Sequence, residues 1–130
     1  MNKEWYNNIS ETIIGAAIEV HRELGPGLLE SVYEACMVKE LVKRGLRVQS
    51  QVELPVIYKG EVVDKSFRVD LLVENHIIVE LKSIDQLLPI HEVQLLTYLR
   101  LANEKLGLLI NFNVSVLTKG IKRKINGFIE

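Results

Sequence analysis

Apolar positions recur along this chain with two periods, and the switches between them divide it into elements. From about Lys3 to Leu24, Ile9, Ile13, Ala16, Ala17, Val20 and Leu24 fall three and four residues apart, the spacing of one helix face. Gly25-Pro26-Gly27 stops that helix. A second is predicted from about Leu28 to Arg44, with Leu29, Val32, Tyr33, Cys36 and Met37 facing inward and Gly45 as its stop. From Arg47 to Tyr58 the pattern becomes alternating, which predicts a strand with Val48, Val52, Leu54 and Val56 on one side. Lys59-Gly60 turns it into a strand from roughly Lys65 to Val73, and a third follows from Ile77 to Lys82, giving an antiparallel meander. Pro89 opens a third helix, to about Lys105, with Ile90, Val93, Leu96 and Leu99 as its apolar stripe. Leu108 to Phe112 is a very apolar strand, and Val114 to Leu117 is expected to continue as an edge strand.

The stretch from Arg68 to Lys82 carries the chemistry. A turn centred on Asn75 sets Val73 opposite Ile77, Leu72 opposite Ile78, Leu71 opposite Val79 and Asp70 opposite Glu80. Side chains alternate between faces, so Val69, Leu71, Val73, Ile77, Val79 and Leu81 form a wholly apolar core face. The other face holds Arg68, Asp70, Leu72, Ile78, Glu80 and Lys82. Opposed residues have Cβ atoms about 4.5–5.5 Å apart, and like charges there are unfavourable. Neighbouring carboxylates also raise each other's pKa. A divalent cation removes that cost, and hard cations such as Mg2+ prefer oxygen ligands. An ordinary surface on which Lys82 neutralises one acid is the plainer account of the same residues.

Composition narrows the classes. The chain has 130 residues, suited to one domain spanning 1–130, and 48% of them are hydrophobic, enough for a sizeable core. A net charge of −1 provides no global field for nucleic acid, so any basic surface is local. The single Cys36 excludes an internal disulfide framework and a multi-cysteine metal site. Met1 to Asn8 is not a signal sequence and no apolar run spans a membrane, so a cytoplasmic protein is expected.

Other residues are candidates with ordinary explanations beside them. Glu30 lies in the first turn of the second helix, where the helix dipole alone favours an acid. His21, taken alone, reads as a partly buried surface histidine before it reads as a ligand. His91, Gln94 and Tyr98 share one side of the third helix. Lys119, Lys122, Arg123 and Lys124 form a modest basic run, either a solvated tail or a contact for a phosphate backbone. Nothing reads bases: there is no basic recognition helix and no aromatic stacking platform.

The order of elements, with Asp70 and then Glu80-Leu81-Lys82, resembles the PD-(D/E)xK nuclease superfamily and its αβββαβ core. Asp70 matches the first acid of the motif, preceded by Val69 rather than proline, and Glu80-Leu81-Lys82 matches the remainder. Gln94-Leu95-Leu96-Thr97-Tyr98 resembles the QxxxY motif of the RecB-like branch. Gly27 to Tyr33, with Glu30 between them, resembles the motif after which the GxxExxY family is named. The resemblance implies an α/β fold with a mixed sheet, a restriction-endonuclease-like core preceded by an extra N-terminal helix. It implies metal-dependent phosphodiester hydrolysis, with DNA as the expected substrate. Asp70, Glu80 and the backbone carbonyl of Leu81 would hold Mg2+ or Mn2+, with Glu30 reaching the same centre. Lys82 would act on the attacking water, Gln94 and Tyr98 would orient the substrate, and His21 would stand behind them. A homodimer or larger assembly is expected because little chain is left for a recognition domain. The competing expectation is a catalytically inactive nucleic-acid-binding or accessory subunit that keeps the fold.

Overall fold

The structure is a computed structural model describing residues 1–130. Its elements are α1 (Lys3–Leu24), α2 (Glu30–Lys43), β1 (Val48–Glu53), β2 (Val56–Tyr58), β3 (Glu61–Asp64), β4 (Arg68–Val73), β5 (Ile77–Lys82), α3 (Pro89–Ala102), β6 (Leu106–Asn111) and β7 (Ile121–Ile125), with a 3-10 turn at Leu117–Gly120 before the last strand. Five strands form one sheet in the order β1-β4-β5-β6-β7, and β2 pairs with β3 as a separate ribbon. Only β5 and β6 are parallel; the other neighbours are antiparallel. The helix between β5 and β6 is what a parallel pair requires, because its crossover is too long for a tight turn.

Each helix is set by its ends and its stripe. Asn2 caps α1, its side chain accepting the Trp5 N–H at 3.0 Å. Tyr6, Ile13, Ala16, Ala17 and Val20 bury its inner face. In α2, Tyr33, Met37 and Leu41 are buried at four-residue spacing. The expected inward Leu29 is instead 73% exposed, because it precedes the first helical turn, and Val32 is also exposed. The expected stripe of α3 is shifted as well. Leu95 and Leu99 are buried, whereas Ile90 and Val93 are 61% and 55% exposed. The helix packs where β6 lets it approach: a Cβ at Gly107 would strike the Leu95 side chain, so glycine there permits close helix–strand contact.

The sheet separates two apolar layers. On one side Tyr33, Met37, Leu41 and the α1 stripe meet Leu71, Val73, Ile77, Val79, Leu81, Leu106, Leu108 and Ile110. On the other, Leu95 and Leu99 meet Leu54, Val69, Ile78 and Leu109. β5 and β6 are therefore covered on both faces, which explains their almost unbroken apolar runs.

Three strand expectations change. The long strand from Arg47 to Tyr58 is interrupted at Leu54-Pro55: Leu54 N–H still reaches Phe67 O at 2.9 Å, but proline has no donor to continue the ladder. Val114 to Leu117 is not a strand; the edge strand is Ile121–Ile125. The 3-10 turn before it fits tightly against β6, since a Cβ at Gly120 would fall on the Asn111 carbonyl.

The third change concerns Val69, expected on the same core face as Leu71. It packs on the α3 side with Leu54 and Ile78, and Val52 joins it there while Val48 stays on the α1–α2 side. Both strands of the β1–β4 pair change faces at one point. Ser50↔Leu71 and Val52↔Val69 are paired, while Gln51 and Asp70 between them are not. Gln51 has φ 53°, a left-handed conformation uncommon for a residue with a side chain. Such ladder irregularities increase twist and re-aim side chains. Here the two unpaired residues are Gln51 and Asp70.

Candidate carboxylate site

The β4–β5 ladder holds the expected register from Val73↔Ile77 through Leu72↔Ile78 to Leu71↔Val79, and there its backbone pairing ends. Beyond it the carboxylates accept the backbone donors. Leu81 N–H donates to Asp70 Oδ2 at 2.8 Å, and Asp70 N–H donates to Glu80 Oε1 at 3.2 Å. The two side chains are in contact with each other as well as with the strands. Every buried side-chain polar atom in the protein has a partner.

Glu80 is only 8% exposed. Burial, then the charge of Asp70 and the hydrogen bond between the two side chains, push its pKa up to about 9, against opposing contributions from the Asp70 N–H and the Lys82 ammonium. The raised pKa favours the protonated form of Glu80 beside Asp70. The like-charge cost is met by a proton. That proton marks where positive charge is favourable, and two carboxylates with one shared proton are a donor set that a hard divalent cation fits.

Lys82 ends β5, half-buried, with its charge felt at Glu80. Tyr98, half-buried on α3, faces the same pair. Burial and the charges of Glu80 and Asp70 hold its phenol above the ordinary range. Gln94 lies one turn earlier on α3 and is exposed. Asp70, Glu80, Lys82 and Tyr98 are thus brought together.

Glu30 is not. It is exposed at the start of α2, and no group of three or more His, Cys, Asp or Glu side chains is arranged to hold an ion. The α2 carboxylate nearer the site is Glu34, one turn later, which the sequence reading missed. Gln51 Nε2 donates to Glu34 Oε1 at 2.7 Å and lies 3.4 Å from Asp70 Oδ1, bridging α2 to the site from the irregular point of β1. Partial burial raises the Glu34 pKa; the Gln51 hydrogen bond opposes this, and Asp70 and Glu30 add to it. The signal was present as a second acid four residues after Glu30, but the partner Gln51 is distant in sequence.

The GxxExxY residues build the loop that leads into α2. Tyr33 is fully buried and stacks on Phe112, ring centroids 4.3 Å apart and 7° from parallel. Its hydroxyl donates to Gly25 O and accepts the Leu28 N–H at 3.2 Å. Ser83, directly after Lys82, donates to Leu28 O at 2.6 Å. The loop is thereby tied to the end of β5. Asn111 performs the same service for the segment after β5, accepting Ile84 N–H at 3.1 Å and donating to Ile84 O at 2.9 Å.

His21 is placed elsewhere. Its Nε2 lies 2.7 Å from Val114 O and its ring packs at a tilt against Phe112, so it ties α1 to the loop after β6. The basic run does not form one patch. Alternation along β7 sends Arg123 to Asn7 on α1, at 2.9 Å, and Lys124 to Glu92 on α3, at 2.7 Å. Lys119 and Lys122 line a depression of about 220 Å³ with Asp85, Gln86 and Asn111.

A five-stranded mixed sheet with helices on both faces and two touching carboxylates at the open end of its central hairpin defines a restriction-endonuclease-like fold. The chain matches the family model of the PD-(D/E)XK nuclease superfamily over residues 7–124, and it belongs to that superfamily. No curated protein and no solved structure matches it. Nucleases of this superfamily generally use divalent metal ions, and none of the helices is long and apolar enough to cross a membrane.

Proposed function

We propose that the protein is a metal-dependent nuclease of the GxxExxY, RecB-like type, cleaving phosphodiester bonds in DNA. The observation that carries this reading is the placement of Asp70 against the buried Glu80 at the open end of β4–β5, each accepting a backbone N–H of the facing strand, beside Lys82. Asp70, Glu80 and the Leu81 carbonyl would hold Mg2+ or Mn2+, which supplies Lewis-acid chemistry: it lowers the pKa of a water and offsets charge on the phosphate. Glu80 must release its proton before it can act as a ligand. The Leu81 N–H fixes Asp70, so the acid does not depend on a flexible side chain for its position. Lys82 places positive charge where the phosphate oxygens become more negative as water attacks. The half-buried Tyr98 hydroxyl orients the phosphate, with Gln94 further out.

Labelled single- and double-stranded DNA incubated with Mg2+, Mn2+ or EDTA tests the reading. Cleavage with metal, abolished by EDTA and by Asp70→Asn, is expected. Neither strand form being cut with either metal would refute it.

A second reading, a non-catalytic nucleic-acid-binding or accessory subunit, is favoured by the net charge of −1, since proteins that bind bare phosphate are usually basic. Binding of the same DNA without cleavage selects it.

A further inference from the structure

Phe67 is a large aromatic side chain, 44% exposed, on a backbone that is firmly held. Asp64 Oδ1 accepts both the N–H and the hydroxyl of Ser66 at 2.6 Å. Arg68 Nη1 donates to Lys65 O at 2.8 Å and Phe67 O at 3.1 Å, and Leu54 N–H adds the bond to Phe67 O. An exposed apolar ring is costly in water, and the hydrogen bonds that satisfy this turn also fix where the ring stands. A fixed ring is of benefit to a surface that must meet something flat in a set position.

The ring is also backed. Its centroid is 6.2 Å from that of Tyr98, at 56°, the offset and tilted arrangement that aromatic pairs favour. Tyr98 is the residue whose phenol lies in the field of Asp70 and Glu80. The spacing and tilt leave no slot between the rings, so the free surface is the solvent side of Phe67. Phe67 directly precedes β4, the strand that carries Asp70, and so lies near the carboxylate site along the chain as well as beside Tyr98. Lys65 and Arg68 flank it, and the only acid the guanidinium meets is Glu53, at 3.6 Å on the surface.

We propose that Phe67, buttressed by Tyr98, is a stacking platform for one unpaired nucleobase next to the phosphate held at Asp70 and Glu80, which makes single-stranded nucleic acid the substrate class. The inference rests on the nuclease reading of that site. A paired base within a duplex has both faces covered by its neighbours and offers nothing to Phe67. An unpaired base offers a full face, and stacking of this kind tolerates any sequence. The sequence alone does not show the platform, because Phe67 and Tyr98 meet only through the fold.

The test measures binding by fluorescence anisotropy in EDTA, with a labelled single-stranded 12-mer and the corresponding blunt duplex, and cleavage of both in Mg2+. Wild type, Phe67→Ala and Phe67→Trp are compared, with thermal melts to confirm that the exposed substitutions leave the fold intact. Phe67→Ala is expected to weaken single-strand binding by about 5- to 100-fold, to leave duplex binding unchanged, and to be rescued by Phe67→Trp. A 2-aminopurine beside the scissile phosphate is expected to be quenched by wild type and not by Phe67→Ala. Equal losses on both substrates, or none, would overturn the platform and leave the nuclease reading standing. A change in the molecular mass of Phe67→Ala by light scattering, without a change in single-strand affinity, would assign the ring to a protein contact instead. If wild type neither binds nor cuts either substrate, both readings fall.

Discussion

At its turn end, the β4–β5 hairpin is regular. Val73 pairs with Ile77 and Leu71 with Val79, all fully buried, and Glu74 and Asn75 take the positive φ values that a tight hairpin turn needs. At its open end, one residue beyond Leu71, the backbone pairing stops, carboxylates accept the N–H groups, and the adjoining β1–β4 pair changes faces. The same two strands thus supply a rigid frame and an irregular mouth. A continuous ladder would leave its backbone donors engaged with carbonyls. Its interruption leaves the donors free to orient Asp70 and Glu80 side by side, and the apolar end absorbs the cost of burying them.

If the open end is the chemical one, substitutions there should remove activity while leaving the frame. Asp70→Asn and Glu80→Gln are each expected to lower metal-dependent hydrolysis by about 10²–10³-fold or more, the scale for losing a group that stabilises transition-state charge. The fold should survive, because Asn still accepts the Leu81 N–H and Gln replaces a carboxyl that is already neutral. Urea titrations sharpen this. Excess Mg2+ or Mn2+ should stabilise wild type by about 2.7 kcal/mol at 100 times the dissociation constant, and should not stabilise Asp70→Asn. Without metal at pH 7, Asp70→Asn should change stability by less than about 1 kcal/mol, since the Glu80 proton has already relieved the opposed charges. A metal-indifferent wild type, or an active Asp70→Asn, would undo the assignment.

The regular end should respond in the opposite way. Leu71→Ala removes a fully buried side chain between β1 and β5 and is expected to cost about 2–5 kcal/mol in denaturant unfolding. The metal response of the molecules that remain folded should be unchanged. If Leu71→Ala abolished metal binding under conditions where the protein is folded, frame and mouth would not be separable.

The difference between the two ends also explains what the chain disclosed. Alternation located the hairpin, its register and the facing of Leu71, Val73, Ile77 and Val79, because these depend only on period and turn. It failed at Val69 and Val52, where the strands roll over at Gln51 and Asp70 and the period is broken. It failed again in α3. Ile90 and Val93 are spaced for burial, but the helix turns Leu95 and Leu99 to the sheet, where Gly107 lets Leu95 approach, and leaves Ile90 and Val93 exposed. A raised pKa at Glu80 could be anticipated from its opposition to Asp70, but its burial, the larger cause, could not. Nor could Glu34, Gln51 and Phe67, since each acquires its role from a neighbour that only the fold supplies.

The pH response separates the ends more finely. Glu80 has a folded pKa of about 9 against an ordinary 4.5. Between these values the folded state holds more protons than the unfolded one, so its contribution is complete below about pH 4.5 and is lost as pH rises through 9. Metal-free wild type should therefore lose stability across that window with a slope of up to about 1.4 kcal/mol per pH unit, and Glu80→Gln should lack this component. Metal affinity should rise over the same interval as the cation displaces the proton. A wild type and a Glu80→Gln with parallel stability profiles would show that Glu80 is already ionised and that the pair is not poised for a cation.

The smallest expected effect tests the roll itself. Gln51 adopts a left-handed conformation that costs a residue with a side chain about 1–2 kcal/mol. Its amide recovers part of this by bonding to Glu34. Gln51→Gly removes the strain and the hydrogen bond together, and glycine also gives up more freedom on folding. The opposing contributions are similar in size, so a net change within about 0.5 kcal/mol is expected. Gln51→Val loses the same hydrogen bond but places a β-branched side chain where it is least tolerated, and should cost at least about 1 kcal/mol more than Gln51→Gly in chemical denaturation. The gap between the two substitutions isolates the backbone from the side chain. If valine and glycine were equally stable there, β1 would regain its regular pairing at no cost, and the turning-over of the strands at Asp70 would not be imposed by this residue.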